Sequence, residues 1–209
     1  MRLAHILPSR PVSVGLTCLV CALLLAGCSS SPPTAYYALD IQKTSAQSAK
    51  QPASAEPVIV VLPADVPEMV DRPQIVTRDG ENRVLVNEGH RWAAPLRHEI
   101  ARVVAAELSD RLGSSGVITL PYASDNPVPD YRLKIVVQRL DLQSGHGVLL
   151  DAAWIITARD GAERRGRETL EEPASSSAGD VYAALAAAQT KALRRLADSI
   201  ASSIAKPRR

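Results

Sequence analysis

Cysteine is scarce in this sequence, which has three in 209 residues. Cys18 and Cys21 lie inside an apolar stretch near the N-terminus, and Cys28 directly follows that stretch. The first two have the Cys-x-x-Cys spacing of redox and zinc sites, but we expect both to be removed with the stretch that holds them. The remaining chain would have no disulfide, so its stability must come from a core. A chain of this size can bury roughly 70% of its unfolded surface, and we expect one domain.

A long hydrophobic run is also missing. The apolar stretch, Val12 to Ala26, is about 15 residues long, whereas a membrane-spanning helix needs ~20. Arg2 and Arg10 precede it, as in the basic region of a secretory signal. In Leu25-Ala26-Gly27-Cys28, small residues stand at the cleavage position and the thiol of Cys28 can take a diacylglycerol. We predict a lipoprotein signal peptide over residues 1–27 and lipidation of Cys28. The alternatives are an uncleaved anchor and an ordinary signal peptide with a chance cysteine.

The sequence also lacks a large excess of positive or negative charge. The chain has 24 Lys and Arg and 22 Asp and Glu, and removal of residues 1–27 takes away two arginines and no acid. The mature chain is then formally neutral and has no global positive field that would attract nucleic acid. We expect no nucleic-acid partner.

Ser29 bears on the location of the protein. A diacylated cysteine anchors a protein stably, because two acyl chains together bury enough methylene groups. In Gram-negative lipoproteins an Asp after the cysteine commonly retains the protein at the inner membrane, and this chain has Ser29 instead. We therefore predict a lipid anchor at the periplasmic face of the outer membrane.

Residues 28–56 are rich in Ser, Pro, Ala and Gln, which is typical of a linker. Tyr36-Tyr37-Ala38-Leu39 interrupts this composition, so we predict a short docked strand near residues 36–40. Only residues 29–34 would then be free, and six extended residues reach about 20 Å. Residues 57–209 are predicted to form the domain.

The order of apolar patterns in the domain predicts its architecture. Pro57 to Pro63 is an apolar, β-branched run, typical of a central strand that is buried on both faces. Asp79-Gly80 lies between two strands and indicates a hairpin turn with an exposed, charged tip. The other predicted elements are a helix over Pro95–Leu112 with Arg97, Glu99, Arg102, Glu107 and Asp110 turned to solvent, a short strand over Val117–Leu120, a three-strand meander from Tyr131 to Leu170 with a polar edge strand last, and a long helix after Asp180. We predict a single α/β domain with a mixed β-sheet, an antiparallel meander and two main helices packed on it in layers.

Motifs for catalysis or metal binding are incomplete. His98-Glu99 begins like a zinc-binding helix, but Arg102 stands where His-Glu-x-x-His needs its second histidine. The histidines of the mature chain, His90, His98 and His146, are far apart in sequence. Asp65, Glu68 and Asp71 are close enough in sequence for a cation site or an acid–base pair, although loop solvation is the favoured interpretation. We predict no catalytic residue, no metal and no cofactor.

A group of mostly polar residues that includes one tryptophan is a candidate partner-binding surface. Its residues come from two stretches on either side of the predicted hairpin: Asp71, Arg72, Pro73, Gln74, Arg91 and Trp92. Trp92 stands just before the first helix, a place for either a hydrophobic staple or an exposed partner anchor. We favour the staple and keep the anchor as the alternative.

The chain resembles the PqiC-like, ABC-type transport auxiliary lipoproteins, described as membrane-integrity-associated transporter subunits. The resembling stretches follow each other in the expected order: Cys28, Tyr36-Tyr37-Ala38-Leu39, Asp71-Arg72-Pro73-Gln74-Ile75-Val76, Arg91-Trp92-Ala93-Ala94-Pro95-Leu96 and Leu149-Leu150-Asp151-Ala152-Ala153-Trp154. The resemblance implies a periplasmic α/β domain at the outer membrane. It also implies partners, namely an MCE-domain protein and an inner-membrane transporter component that together move lipids between the two membranes. It implies no enzymatic activity and assigns no active-site residue.

Two other functions remain open from the sequence. One is a structural or assembly lipoprotein of the envelope, and the less favoured one is an envelope hydrolase that uses Asp65, Asp71 or a histidine. A homo-oligomer is a further possibility for the Asp71–Trp92 surface.

Overall fold

The computed structural model describes residues 33–41, 57–120, 128–175 and 179–205. The predicted signal peptide, Cys28, Ser29 and most of the predicted linker lie outside these residues. From Thr34 onward the chain forms one compact unit.

The described elements follow the predicted order of four strands, a helix, four strands and a helix. Their bounds are β1 (Ala35–Tyr37), β2 (Ile59–Val61), β3 (Gln74–Arg78), β4 (Val84–Trp92), α1 (Leu96–Leu112), β5 (Val117–Thr119), β6 (Tyr131–Gln143), β7 (Gly147–Ala158), β8 (Glu163–Glu172) and α2 (Val181–Ala205). The α/β class with a meander and two helices is thereby confirmed. The strands differ from the prediction in one respect, because those in the described residues form two sheets and not one.

The larger sheet has the order β5-β2-β6-β7-β8. β2 pairs in parallel with both β5 and β6, and all three of its residues are buried. This double pairing explains why the run from Pro57 to Pro63 is apolar at every position. β6, β7 and β8 form the predicted antiparallel meander, and the polar strand β8 is an edge strand as predicted.

The meander buries alternate residues of β7 beneath α2. Trp154, on β7, lies opposite Gly166 of β8 in the strand register. A Cβ atom at Gly166 would lie 2.6 Å from Cε2 of the indole, so only glycine leaves room for this buried ring. The tryptophan therefore fixes the residue type on the neighbouring strand.

The smaller sheet has the order β1-β4-β3 and contains the predicted hairpin. β3 and β4 are antiparallel, and the turn between them has Gly80 at φ +78, a conformation that glycine adopts without strain. β4 continues past the predicted Asn87 to Trp92, and β1 pairs with this extension in parallel. The strand that the sequence placed near residues 36–40 is thus an edge strand of the smaller sheet.

An ion pair links the end of the hairpin to the larger sheet. Asp141 of β6 is buried, and its carboxylate lies 2.9 Å from Nε of Arg78 and 2.5 Å from Nε of Arg139. Removing one partner from such a buried group is costly, so the pair holds β3 in a defined position against β6.

The two helices pack against each other, and α2 also covers β7 and β8. α1 follows Pro95 and ends at Gly113, which has φ +60 and forms the expected left-handed C-cap. Asp180 caps α2, since its Oδ1 accepts hydrogen bonds from the N–H groups of Tyr182 and Ala183. None of the helices within the described ranges is long and apolar enough to cross a membrane.

Candidate docking site

The segment that follows the predicted lipidation site is built into the domain. Ala35, Tyr36 and Tyr37 pair with His90, Arg91 and Trp92 of β4, and the N–H of Ala93 donates to the carbonyl of Tyr37 at 2.7 Å. Two residues later, the side chain of Leu39 is only 1% exposed. Backbone pairing and a buried side chain therefore attach this segment to the rest of the domain.

Glu99 and Arg102 of α1 bind both polar groups of the Leu39 backbone. The N–H of Leu39 donates to Oε2 of Glu99 at 3.3 Å, and Nη2 of Arg102 donates to the carbonyl of Leu39 at 2.5 Å. Arg102 also donates to both carboxylate oxygens of Glu99, at 2.9 and 2.7 Å. These hydrogen bonds to Glu99 are the main reason that the pKa of Arg102 is raised. We call this arrangement the Leu39 clamp.

The Leu39 clamp corrects the sequence interpretation of α1. Glu99 was expected to face solvent, but it is 7% exposed. Helical periodicity assigned it to the polar face because it is charged, and the partner that buries it lies 60 residues earlier in the chain. A Glu–Arg pair spaced three residues apart is common on exposed helices. The spacing alone therefore did not indicate that Glu99 binds the Leu39 backbone.

Three rings and a carboxylate join β1, β4 and α2 beside the clamp. The rings of His90 and Tyr182 stack with centroids 3.7 Å apart, and Tyr37 lies 5.7 Å from His90 and 5.9 Å from Tyr182. The hydroxyl of Tyr37 donates to Oδ2 of Asp180 at 3.0 Å. Because its one proton is used there, the 2.8 Å contact with Nδ1 of His90 requires the imidazole to donate. This geometry places a proton on Nδ1 of His90.

Burial and Asp180 shift the pKa values of this cluster. Burial, together with the hydrogen bond and charge of Asp180, raises the pKa of Tyr37 to about 12. Burial and the same carboxylate raise the pKa of Tyr182, whose hydroxyl donates to Oδ1 of Asn87 at 2.8 Å. Burial opposes ionisation of Asp180, but the N–H groups of Ala183 and Tyr182 and the hydroxyl of Tyr37 outweigh it and lower its pKa. The cluster is a connected structural network in which the carboxylate is charged and the phenols are neutral at pH 7.

The predicted partner-binding residues meet at the base of the hairpin. The N–H of Trp92 donates to the carbonyl of Pro73 at 2.7 Å, and Gln74 lies opposite Arg91 in the strand register. Gln74 donates to Glu88 at 3.1 Å, and Arg91 lies 3.5 Å from the same carboxylate. Two stretches separated by the whole hairpin thus form one surface.

The members of this surface differ in exposure. Arg72 and Pro73 are exposed, whereas Asp71 is half-buried and forms an ion pair with Arg97. Trp92 is 5% exposed and belongs to the hydrophobic core, so it does not offer an exposed anchor. The packing interpretation of Trp92 therefore agrees with its burial in the core.

The remaining candidates for chemistry are separated in space or engaged elsewhere. Asp65 pairs with Lys134 at 2.8 Å, Asp71 pairs with Arg97, and His90 is stacked on Tyr182. His98 and His146 are exposed. Within the described residues, no three His, Cys, Asp or Glu side chains come together as a metal site.

Two crystal structures resemble this fold. One is of an uncharacterized protein, with a TM-score of 0.66, 18% identity, and coverage of 83% of this chain and 100% of the other. The second is of a protein from Xanthomonas campestris, with a TM-score of 0.57, 20% identity, and coverage of 82% of this chain and 94% of the other. These identities support a shared fold and carry no statement about function.

A family-level comparison covers most of the chain. The sequence model of the family described as the ABC-type transport auxiliary lipoprotein component matches residues 37–201. The matched region runs from Tyr37, the last residue of β1, into the last turns of α2. No curated protein matches the chain.

The Leu39 clamp can be tested with Glu99→Ala. This change leaves the N–H of Leu39 and the guanidinium of Arg102 without their carboxylate, and we expect a loss of about 1–3 kcal/mol in the free energy of unfolding. Hydrogen exchange at the Leu39 amide should accelerate more than exchange in the core of α1. Asp110→Asn, at an exposed carboxylate of the same helix, is the matched control. Equal exchange at Leu39 in the two variants would contradict the clamp.

The tyrosine cluster predicts a loss of stability at high pH. Folding raises the pKa of Tyr37 from 10.0 to about 12, so its contribution is complete below pH 10 and is lost as the pH rises toward 12. Denaturant unfolding at a series of pH values should show a steeper decline for the wild type than for Tyr37→Phe. The variant keeps part of the slope, because the pKa of Tyr182 is also raised. Tyr36→Phe, which removes an exposed phenol, serves as the control and should decline like the wild type. A wild-type slope in Tyr37→Phe would refute this assignment.

Proposed function

Since the chain belongs to the family of ABC-type transport auxiliary lipoprotein components, we propose that it is a non-catalytic subunit of an MCE-type lipid transport system. In this proposal Cys28 carries the lipid anchor, and the domain stands at the periplasmic face of the outer membrane. The MCE-domain protein and an inner-membrane transporter component are its partners. The subunit works by docking and moves no chemical group itself.

The way the domain holds its N-terminal segment is the observation that carries this proposal. β1 begins at Ala35, and the Leu39 clamp fixes the backbone four residues later. Residues 29–34 are then the only ones between the proposed lipid and the ordered domain, and six residues span at most about 20 Å. A domain held this close to a membrane suits a subunit that receives a partner at that membrane.

The base of the hairpin is the proposed partner surface. Arg72 and Pro73 are exposed on a loop whose backbone is bound to Trp92, and Asp71 is held by Arg97. A loop that is already ordered loses less conformational entropy on binding, so more of the contact energy appears as affinity. Asp71, Arg72, Pro73, Gln74 and Arg91 are the residues we assign to it, with Trp92 as their buried support.

The side chains that an enzymatic function would use support a docking role instead. Asp65 and Asp71, which the hydrolase alternative required, each form an ion pair with a basic side chain. His90 donates from Nδ1 to Tyr37 and is stacked on Tyr182. A general base needs hydrogen-bond reach to a nucleophile or a water, and these groups are instead used to join elements of the fold.

The proposed location predicts the effect of residue 29. Ser29→Asp should shift the protein from the outer-membrane to the inner-membrane fraction, because Asp after the lipidated cysteine is a retention signal. Ser30→Asp adds the same charge one position later and is the control. Equal distribution of wild type and Ser29→Asp between the two fractions would contradict the outer-membrane assignment.

The proposed partner predicts the products of crosslinking in cells. A photocrosslinking amino acid at Arg72 should capture an MCE-domain protein, whereas the same group at His146, exposed in the β6–β7 turn, should not. Recovery of peptidoglycan alone would favour the structural lipoprotein. Recovery of a second copy alone would mean that this surface serves self-association. Either result would overturn the docking proposal for Arg72.

A further inference from the structure

Exposed apolar side chains are concentrated on the elements where the N-terminal segment enters the domain. Of the six large exposed hydrophobic residues in the described ranges, four lie on β1, β4 and the start of α2: Tyr36 at 65%, Leu85 at 44%, Val86 at 40% and Val181 at 43%. Val181 belongs with the others because its neighbour Tyr182 donates to Asn87 of β4. We call these four residues the tether-side surface.

The N-terminal end of β1 points toward the turn of the hairpin. β1 and β4 are parallel, with Ala35 opposite His90 and Tyr37 opposite Trp92. Going backward along β1 therefore follows β4 backward, from His90 toward Val84 and the turn of the hairpin. The turn and the exposed Leu85 and Val86 therefore lie beyond the N-terminal end of β1.

The length of the tether matches the length of the hairpin. Seven residue steps lead from Cys28 to Ala35, and a fully extended chain of that length covers about 24 Å. Six residue steps lead from His90 to Val84, which is about 20 Å of strand. A membrane that holds the lipid of Cys28 is therefore within reach of the hairpin turn, and a much larger gap is ruled out by covalent geometry.

The opposite end of the domain is defined by the far end of α2. This helix has 25 residues and is about 37 Å long. Its first turn lies at the tether side, where Asp180 binds Tyr37, and its last turn contacts Arg164 through the carbonyl of Ser203. Val128 lies near this far end, because its carbonyl accepts a hydrogen bond from Arg159 in the β7–β8 turn.

We propose that the tether-side surface contacts the lipid headgroups of the membrane that holds Cys28, with Leu85, Val86 and Val181 entering the interface. The inference rests on the proposed lipidation of Cys28. The turn carries Asp79, Glu81 and Arg83, of which Asp79 and Arg83 pair with each other, so there is no net positive charge to attract anionic lipid. The contact is therefore apolar in character and fits a zwitterionic membrane. It orients the domain with Val128 and the end of α2 away from the membrane.

Tryptophan placed on this surface tests the proposal. The protein, expressed from the full sequence, carries Leu85→Trp or Val128→Trp and is mixed with phosphatidylcholine vesicles that have bromine on the acyl chains near the headgroup. Both positions are exposed aliphatic residues at opposite ends of the domain, and the native Trp92 and Trp154 are buried and common to both variants. Because interfacial apolar groups lie roughly 5–10 Å into the headgroup boundary, the bromine should reduce the added emission of Leu85→Trp about two-fold. The emission of Val128→Trp should be unchanged.

Each other result of this experiment overturns the inference in an identifiable way. Equal quenching of both variants, or no quenching of either, in protein that floats with the vesicles would refute the oriented contact and leave the lipid anchor standing. Protein that fails to float would refute lipidation at Cys28 and, with it, the contact. If Leu85→Trp does not fold, Val86→Trp on the other face of the same hairpin replaces it with the same expectation.

Discussion

The Leu39 clamp is the interaction on which the attachment of the N-terminal segment to the rest of the domain depends. A buried Glu99 and its Arg102 partner satisfy the N–H and the carbonyl of one backbone unit that would otherwise be buried without partners. Such unpaired groups are costly, so the clamp and the burial of Leu39 are energetically coupled. The beginning of the domain is therefore fixed at β1 and does not drift along a flexible linker.

The attachment of the N-terminal segment also links the sheets to α2. β1 brings Tyr37 to His90, Tyr182 and Asp180, and Asn87 connects the same network to the hairpin. The hairpin in turn is bound to the larger sheet through Arg78 and Asp141. Polar contacts with defined geometry thus connect the smaller sheet to the larger sheet and to α2. Apolar packing alone would specify the orientation of the smaller sheet less well.

The order of the elements followed from local signals in the sequence. Alternation along β6 and β7, the Asp79-Gly80 turn and the Gly113 cap are each decided by neighbouring residues, and these predictions were confirmed. The division into two sheets was not predicted, because strand pairing depends on contacts between distant segments such as Ala35 and His90. The same limit applied to Glu99, whose partner Leu39 is invisible to helical periodicity. The docking residues remain a prediction from the sequence, to which the structure adds the burial of Trp92.

The parallel pairing of β1 with β4 also determines how the molecule responds to force. A pull on the N-terminal segment along its strand acts parallel to β1, and β4 is continuous with the core through Trp92 and α1. The backbone hydrogen bonds of the pair and both bonds of the Leu39 clamp then bear the load together and do not open one at a time. Tension on the N-terminal segment therefore loads the strand pair and the clamp in shear.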